Sequence, residues 1–189
     1  MARKKSIDRH ELMRATEKLL VETGYDGFHF RLLAEKLGVG RSTIYEYYAN
    51  KDDLIIAYIH SFAYERVKES KEIMILEDIQ EQFKAFLRIY LKYNHIQQLV
   101  NMIIHMENQQ KPQNLEDIKQ IKLLIKEINQ VSLKLIQKGK KTGQIRKDID
   151  DLFISYAIFN LVQIPNFQKQ EEEERLNNLV NFIFHGVSV

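Results

Sequence analysis

The chain has no cysteine and no tryptophan, and only two prolines and seven glycines among 189 residues. Without cysteine there is no disulfide framework, thiolate nucleophile, cysteine zinc site or thiol-based redox sensor. So few helix breakers, with hydrophobic residues at 44%, point to a nearly all-helical protein with enough apolar side chains for a sizeable core. No apolar run approaches the ~18 residues of a membrane span. The start, MARKKSIDRH, carries charge with no apolar signal core after it. A cytoplasmic location is therefore expected. Catalytic signatures are missing too: there is no glycine-rich phosphate loop, nucleophile elbow or His-Glu-x-x-His. The six histidines are scattered, and His95 and His105 are not spaced as a one-face metal pair. The pairs Asp52/Asp53 and Asp150/Asp151 suit helix starts better than acid–base chemistry. Neither an enzyme nor a cofactor is expected.

Charge of one sign is also scarce. The net charge is +2, and residues 1–51 hold ten Lys/Arg against seven Asp/Glu. That asymmetry is too weak to mark a nucleic-acid-binding domain by itself. Locally, Arg3, Lys4 and Lys5 form a short basic arm. Beside a DNA-binding element such an arm suits phosphates or a minor groove.

What is present is concentrated in residues 31–54, RLLAEKLGVGRSTIYEYYANKDDL. This segment reads as a short helix, a glycine turn, a second short helix and the capped start of a third. Ala34 is small enough for a second helix to cross close by. Gly38 stands where a left-handed backbone is needed. Ile44 faces back into the angle between the helices. Around Ile44 the second helix presents Arg41, Ser42, Thr43, Tyr45 and Tyr47, a polar and aromatic surface rather than the wide apolar stripe of a packing helix. Hydroxyls, rings and a guanidinium suit phosphates and base edges. A helix-turn-helix lays its second helix in the major groove of DNA.

Residues 9–56 resemble the DNA-binding domain of TetR-type transcriptional regulators. LMRATEKLLVETGYDGF is similar to the family's first helix and following Gly-Tyr. RLLAEKLGVGRSTIYEYYANKDDL is similar to its second and third helices and the entry to its fourth. The matching positions are Ala15, Leu19, Gly24, Ala34, Gly38, Val39, Thr43, Tyr45, Lys51 and Leu54. The chain departs at His29, where the family commonly caps the second helix with Thr or Ser, and at Ser42, where a glycine is common. Ser42 adds a side chain at the DNA face, so base preference cannot be copied from a relative.

The resemblance implies an all-α protein: a three-helix head over 1–50 and a helical effector-binding and dimerisation domain over 51–189. DNA contacts are expected from Arg3, Lys4, Lys5, Arg41, Ser42, Thr43, Tyr45, Tyr47 and Lys51. Helices are expected at about 8–23, capped by Asp8, at 30–37 and 41–47, and from an Asn50 cap through Val67. Further helical periods cover 77–93, 95–108, 115–138 closed by Gly139 and Gly143, and 149–164 ended by Pro165. The run Glu171–Glu174 opens the last helix as a solvated, dipole-matched start. Segments 149–164 and 175–185 are too apolar for a monomer surface. They are expected to pair with a second copy through Leu152, Tyr156, Phe159, Leu179, Phe182 and Ile183.

The resemblance also implies an effector pocket. Phe62, Phe86, Tyr90, Met102, Met106, Tyr156 and Phe159 are candidates to line it, and their chemistry favours a small apolar ligand. The expected function is a dimeric repressor released from a palindromic operator by that ligand. The alternative is a DNA-anchored adaptor of the same fold whose second domain binds a protein.

Overall fold

A computed structural model describes residues 7–92 and 115–186. The basic arm Arg3–Lys5, the expected helix at 95–108, Met102 and Met106 lie outside the described residues. Among the described residues there are eight helices and no strand. They are α1 (Arg9–Gly27), α2 (Phe30–Leu37), α3 (Arg41–Tyr45), α4 (Lys51–Ile73), α5 (Ile79–Lys92), α6 (Leu115–Lys141), α7 (Asp151–Val162) and α8 (Glu172–His185).

The chain divides into two compact units. Among the described residues, the first holds 7–62 with 115–121 and the second 63–92 with 122–186, so the division falls inside α4 and inside α6.

In the first unit, local signals set the helix ends. The Asp8 carboxylate accepts from the His10 N–H at 2.9 Å, covering one of the open donors of α1. Gly24 breaks α1 with φ 67° and ψ −178°, a backbone region essentially confined to glycine. Gly38 closes α2 in the left-handed region, at φ 63° and ψ 37°. There the Val39 N–H reaches the Ala34 carbonyl at 3.0 Å and the Gly38 N–H reaches Glu35 at 3.2 Å, which satisfies two end carbonyls. Asn50 Oδ1 accepts from the Asp53 N–H at 3.0 Å, while its amide donates to the Asp53 carboxylate at 2.8 Å. This reciprocal cap starts α4. Leu12, Leu19, Phe28, Leu33, Ile44, Leu54 and Ile55 bury their side chains to form the core. Burial of each stabilises by about 1.5–3 kcal/mol.

In the second unit, Ile79, Phe83, Phe86 and Leu87 line one face of α5 and pack with Val131, Leu135, Ile136, Ile158, Val162 and Leu176. Their spacing is the helical period read from 77–93. Polar side chains are tied to helix ends. Gln82 donates to the Ile73 and Leu76 carbonyls at the end of α4, at 3.3 and 2.7 Å, and accepts from Lys138 at 2.8 Å. Arg175 donates to the Val162 and Ile164 carbonyls and closes α7. Asp150 caps that helix by accepting from the Phe153 N–H at 3.0 Å.

One expectation is corrected here. Gly139 does not close α6, which runs on to Lys141 before Gly143 turns the chain at φ 76°. Glycine at 139 instead makes room: a Cβ there would lie 2.6 Å from Ile145 Cδ1, and Ile145 is buried. The Glu171–Glu174 run is exposed at the start of α8, as expected, and two of its members also make surface ion pairs. Glu173 pairs with Lys84 and with Arg88 (2.7 Å), and Glu172 lies 3.3 Å from Arg88. These partners hold the Glu173 carboxyl below the usual glutamate range, Lys84 having the larger effect.

Candidate nucleic-acid interface

The helix-turn-helix of the first unit is α2, the Gly38 turn and α3. Ile44 is fully enclosed, and Ala34 is buried where the two helices meet. Ser42 and Arg41 are exposed, as the polarity of the segment predicts. Thr43 is not: only 7% of it is accessible, so its hydroxyl is not presented to a groove as Ser42's is. Thr43 and Ile44 are the two buried residues of α3, which ends at Tyr45 rather than 47.

Arg41 donates to the Tyr45 hydroxyl at 2.8 Å, and its guanidinium carbon lies 5.3 Å from the Tyr45 ring centre. The Tyr45 ring in turn meets Phe30 edge-to-face, with centroids 5.0 Å apart. The pair is thus pre-ordered on the exposed side of α3. Tyr47 is half-exposed in the turn after α3. Its hydroxyl accepts from the Ile7 N–H at 3.2 Å and donates to the Ile7 carbonyl at 3.4 Å. Tyr47 therefore fixes the backbone just after the basic arm. That role was not legible in its spacing.

Beside α3 lies a cleft of about 450 Å³ lined by His29, Phe30, Arg31, Arg41, Tyr45, Asn50 and Lys51, among others. Three cations from three helices meet at one opening. A concave, cationic surface next to an exposed polar helix is the electrostatic form that accommodates a phosphate backbone. Arg31 and His29 were missed as site residues. The available signal was their position at the start of α2, where His29 leaves the cap without a side-chain hydrogen bond.

Lys51 is anchored from behind. Its Nζ sits 4.0 Å from the centre of the Tyr25 ring and donates to the Tyr25 carbonyl at 3.2 Å. The Tyr25 hydroxyl donates to Asp52 at 2.6 Å. Burial, and then the Asp52 carboxylate, push the Tyr25 phenol well above its ordinary value. Burial also raises Tyr48, an effect that Arg9 offsets in part.

A sequence model of bacterial regulatory proteins of the tetR family matches residues 12–58. The uncharacterized HTH-type transcriptional regulator YvaF of Bacillus subtilis (strain 168) is 26% identical over 184 residues, covering 94% of each chain. Residues 12–58 thus form a DNA-binding domain of the type found in tetR-family bacterial regulatory proteins. With that domain the chain reads as a DNA-binding transcriptional regulator. The whole fold agrees. The transcriptional regulator FadR from Bacillus subtilis in complex with stearoyl-CoA aligns over 96% of this chain and 100% of that one, with TM-score 0.69 and 19% identity. AibR in complex with isovaleryl coenzyme A and operator DNA aligns over 93% and 97%, with TM-score 0.70 and 15% identity. Among the described residues no helix is long and apolar enough to cross a membrane.

The other expected residues of this regulator are placed as follows. Phe86, Tyr90 and Phe159 come together in the second unit, with Phe86–Tyr90 centroids 4.8 Å apart and Tyr90–Phe159 centroids 6.0 Å apart. Phe86 is packed into the core, and burial raises the Tyr90 phenol. Phe62 lies in the first unit, 6.0 Å from Tyr58 by ring centroids. Tyr156 is 67% exposed and stands apart from the aromatic cluster. Leu152 and Phe182 are exposed with it, at 54% and 43%, as is Phe153. Leu179 and Ile183 turn the other way and pack on the core. The cause is helical geometry: both α7 and α8 carry apolar residues on two faces, and only one of them is used inside the unit.

Proposed function

We propose that this regulator is a cytoplasmic, dimeric repressor that releases a palindromic operator when an acyl thioester or similar largely apolar ligand binds its second domain. Residues 1–50 act as the DNA head, and 51–189 sense the ligand and dimerise. The observation that carries the DNA part is the cationic cleft beside α3. Arg41 and Ser42 face the base edges in this reading, with Tyr45 steadying Arg41. Lys51 and Arg31 meet phosphates on the cleft side, and residues 3–5 extend the contact beyond Ile7. Tyr47 supports that arm rather than contacting DNA directly.

Support for the ligand class comes from the neighbours in fold. FadR holds stearoyl-CoA and AibR holds isovaleryl coenzyme A. In this chain the aromatic cluster of Phe86, Tyr90 and Phe159 offers apolar surface with one buried hydroxyl, which suits an acyl chain. These neighbours weigh for ligand sensing over the protein-anchor alternative.

The test uses the duplex that the full-length protein selects from a random DNA pool. Isovaleryl-CoA and stearoyl-CoA are titrated into the complex, with free coenzyme A as control. Release by one acyl form and not by coenzyme A is expected, with a coupling of about 5–150-fold. If neither thioester shifts DNA affinity by more than about twofold, the ligand class is wrong. On the DNA side, Lys51→Ala should lower the salt slope by about one unit across all sequences.

A further inference from the structure

We infer that Tyr25 is a positioning residue for DNA binding: its ring and carbonyl seat the Lys51 ammonium at the mouth of the cleft. The inference rests on the reading of Lys51 as a phosphate contact. Gly24, at φ 67°, breaks α1 just before Tyr25. Two successive residues in the first turn of α4 then grip Tyr25 from different sides. Lys51 lies over the ring at 4.0 Å and donates to the carbonyl at 3.2 Å. Asp52, which is buried, accepts the hydroxyl at 2.6 Å. The phenol thus ties the ring to the helix that carries Lys51.

A lysine on an open surface samples many rotamers, and fixing it on a phosphate sacrifices that freedom. Here part of the freedom is already given up in the free protein. An ammonium has three donors and the Tyr25 carbonyl uses one, so the same group can still reach into the cleft it lines with Arg31 and Arg41. The ring face attracts the cation without neutralising it, unlike a carboxylate in the same place. Tyr25 acts through Lys51 and does not itself contact DNA.

The experiment is a double-mutant cycle in full-length protein on the self-selected duplex, at one salt concentration, with helicity and melting checked for every variant. Tyr25→Leu removes the aromatic face and the hydroxyl, and should weaken binding about fivefold, ~1 kcal/mol. Tyr25→Phe keeps the face and should remain within about twofold of the native protein. In a Lys51→Ala background, Tyr25→Leu should cost less than about twofold, because the group it positions is gone. A merely structural tyrosine would cost the same fivefold in both backgrounds; that result, or Tyr25→Phe as weak as Tyr25→Leu, overturns the inference. If Lys51→Ala alone leaves affinity and salt slope unchanged, the phosphate reading of Lys51 fails first, and the role of Tyr25 falls with it.

Discussion

The exposed face of α7 and α8 gives a demanding test of assembly. Tyr156 and Phe182 are 67% and 43% accessible in the single chain, so replacing them with glutamate should leave the fold of one subunit intact. In a two-fold dimer each substitution occurs twice across the interface. Full burial of a large apolar side chain is worth about 1.5–3 kcal/mol. Roughly half of each of these rings remains to be covered, so each copy contributes about 1 kcal/mol. Four copies give about 4 kcal/mol, before any cost of desolvating the new carboxylates. A loss of that size raises the dimer dissociation constant about a thousandfold. Sedimentation velocity of Tyr156→Glu/Phe182→Glu at micromolar concentration should show monomer, with native helicity and weak operator binding. Loss of the dimer also removes the linked second head, and the avidity it supplies. A variant that still sediments as a dimer, or a native protein that sediments as a monomer, refutes the assignment of this face.

Two further predictions concern stability. Gly24→Ala meets no atom within 4 Å, so its cost is backbone strain alone, about 1–3 kcal/mol, read as a lower melting temperature with unchanged helicity at 20 °C. Glu173 has its carboxyl lowered by Lys84 and Arg88, so its contribution to stability is present above the ordinary glutamate value of 4.5 and is lost as pH falls through the lower folded value. Glu173→Gln should therefore melt lower at pH 7 and show a shallower loss of stability on acidification below pH 4.5. A parallel acid profile for both proteins would dismiss the α5–α8 ion pairs as a stabilising contact.

The sequence by itself determined the features that depend on neighbours within a turn or two. Gly38 had to be glycine-like because α2 ends in a left-handed residue, and Asp8, Asn50 and Asp150 cap because the donors they cover are two or three residues away. The burial of Ile44 and of the Phe83, Phe86 and Leu87 face followed from helical period alone. Tertiary structure decided everything that joins distant segments. Tyr25 meets Asp52 across 27 positions, Tyr47 meets Ile7 across 40, and Arg88 meets Glu173 across 85. Periodicity names an apolar or polar face but not the element that will cover it. It therefore could not separate Leu179, which faces the core, from Phe182, which faces outward on the same helix. Nor could it show that Thr43 turns inward, or that glycine at 139 serves the packing of Ile145 rather than the end of a helix. A side chain's environment is set by the relative placement of whole helices, and that placement is a property of the packed core rather than of any local stretch of chain.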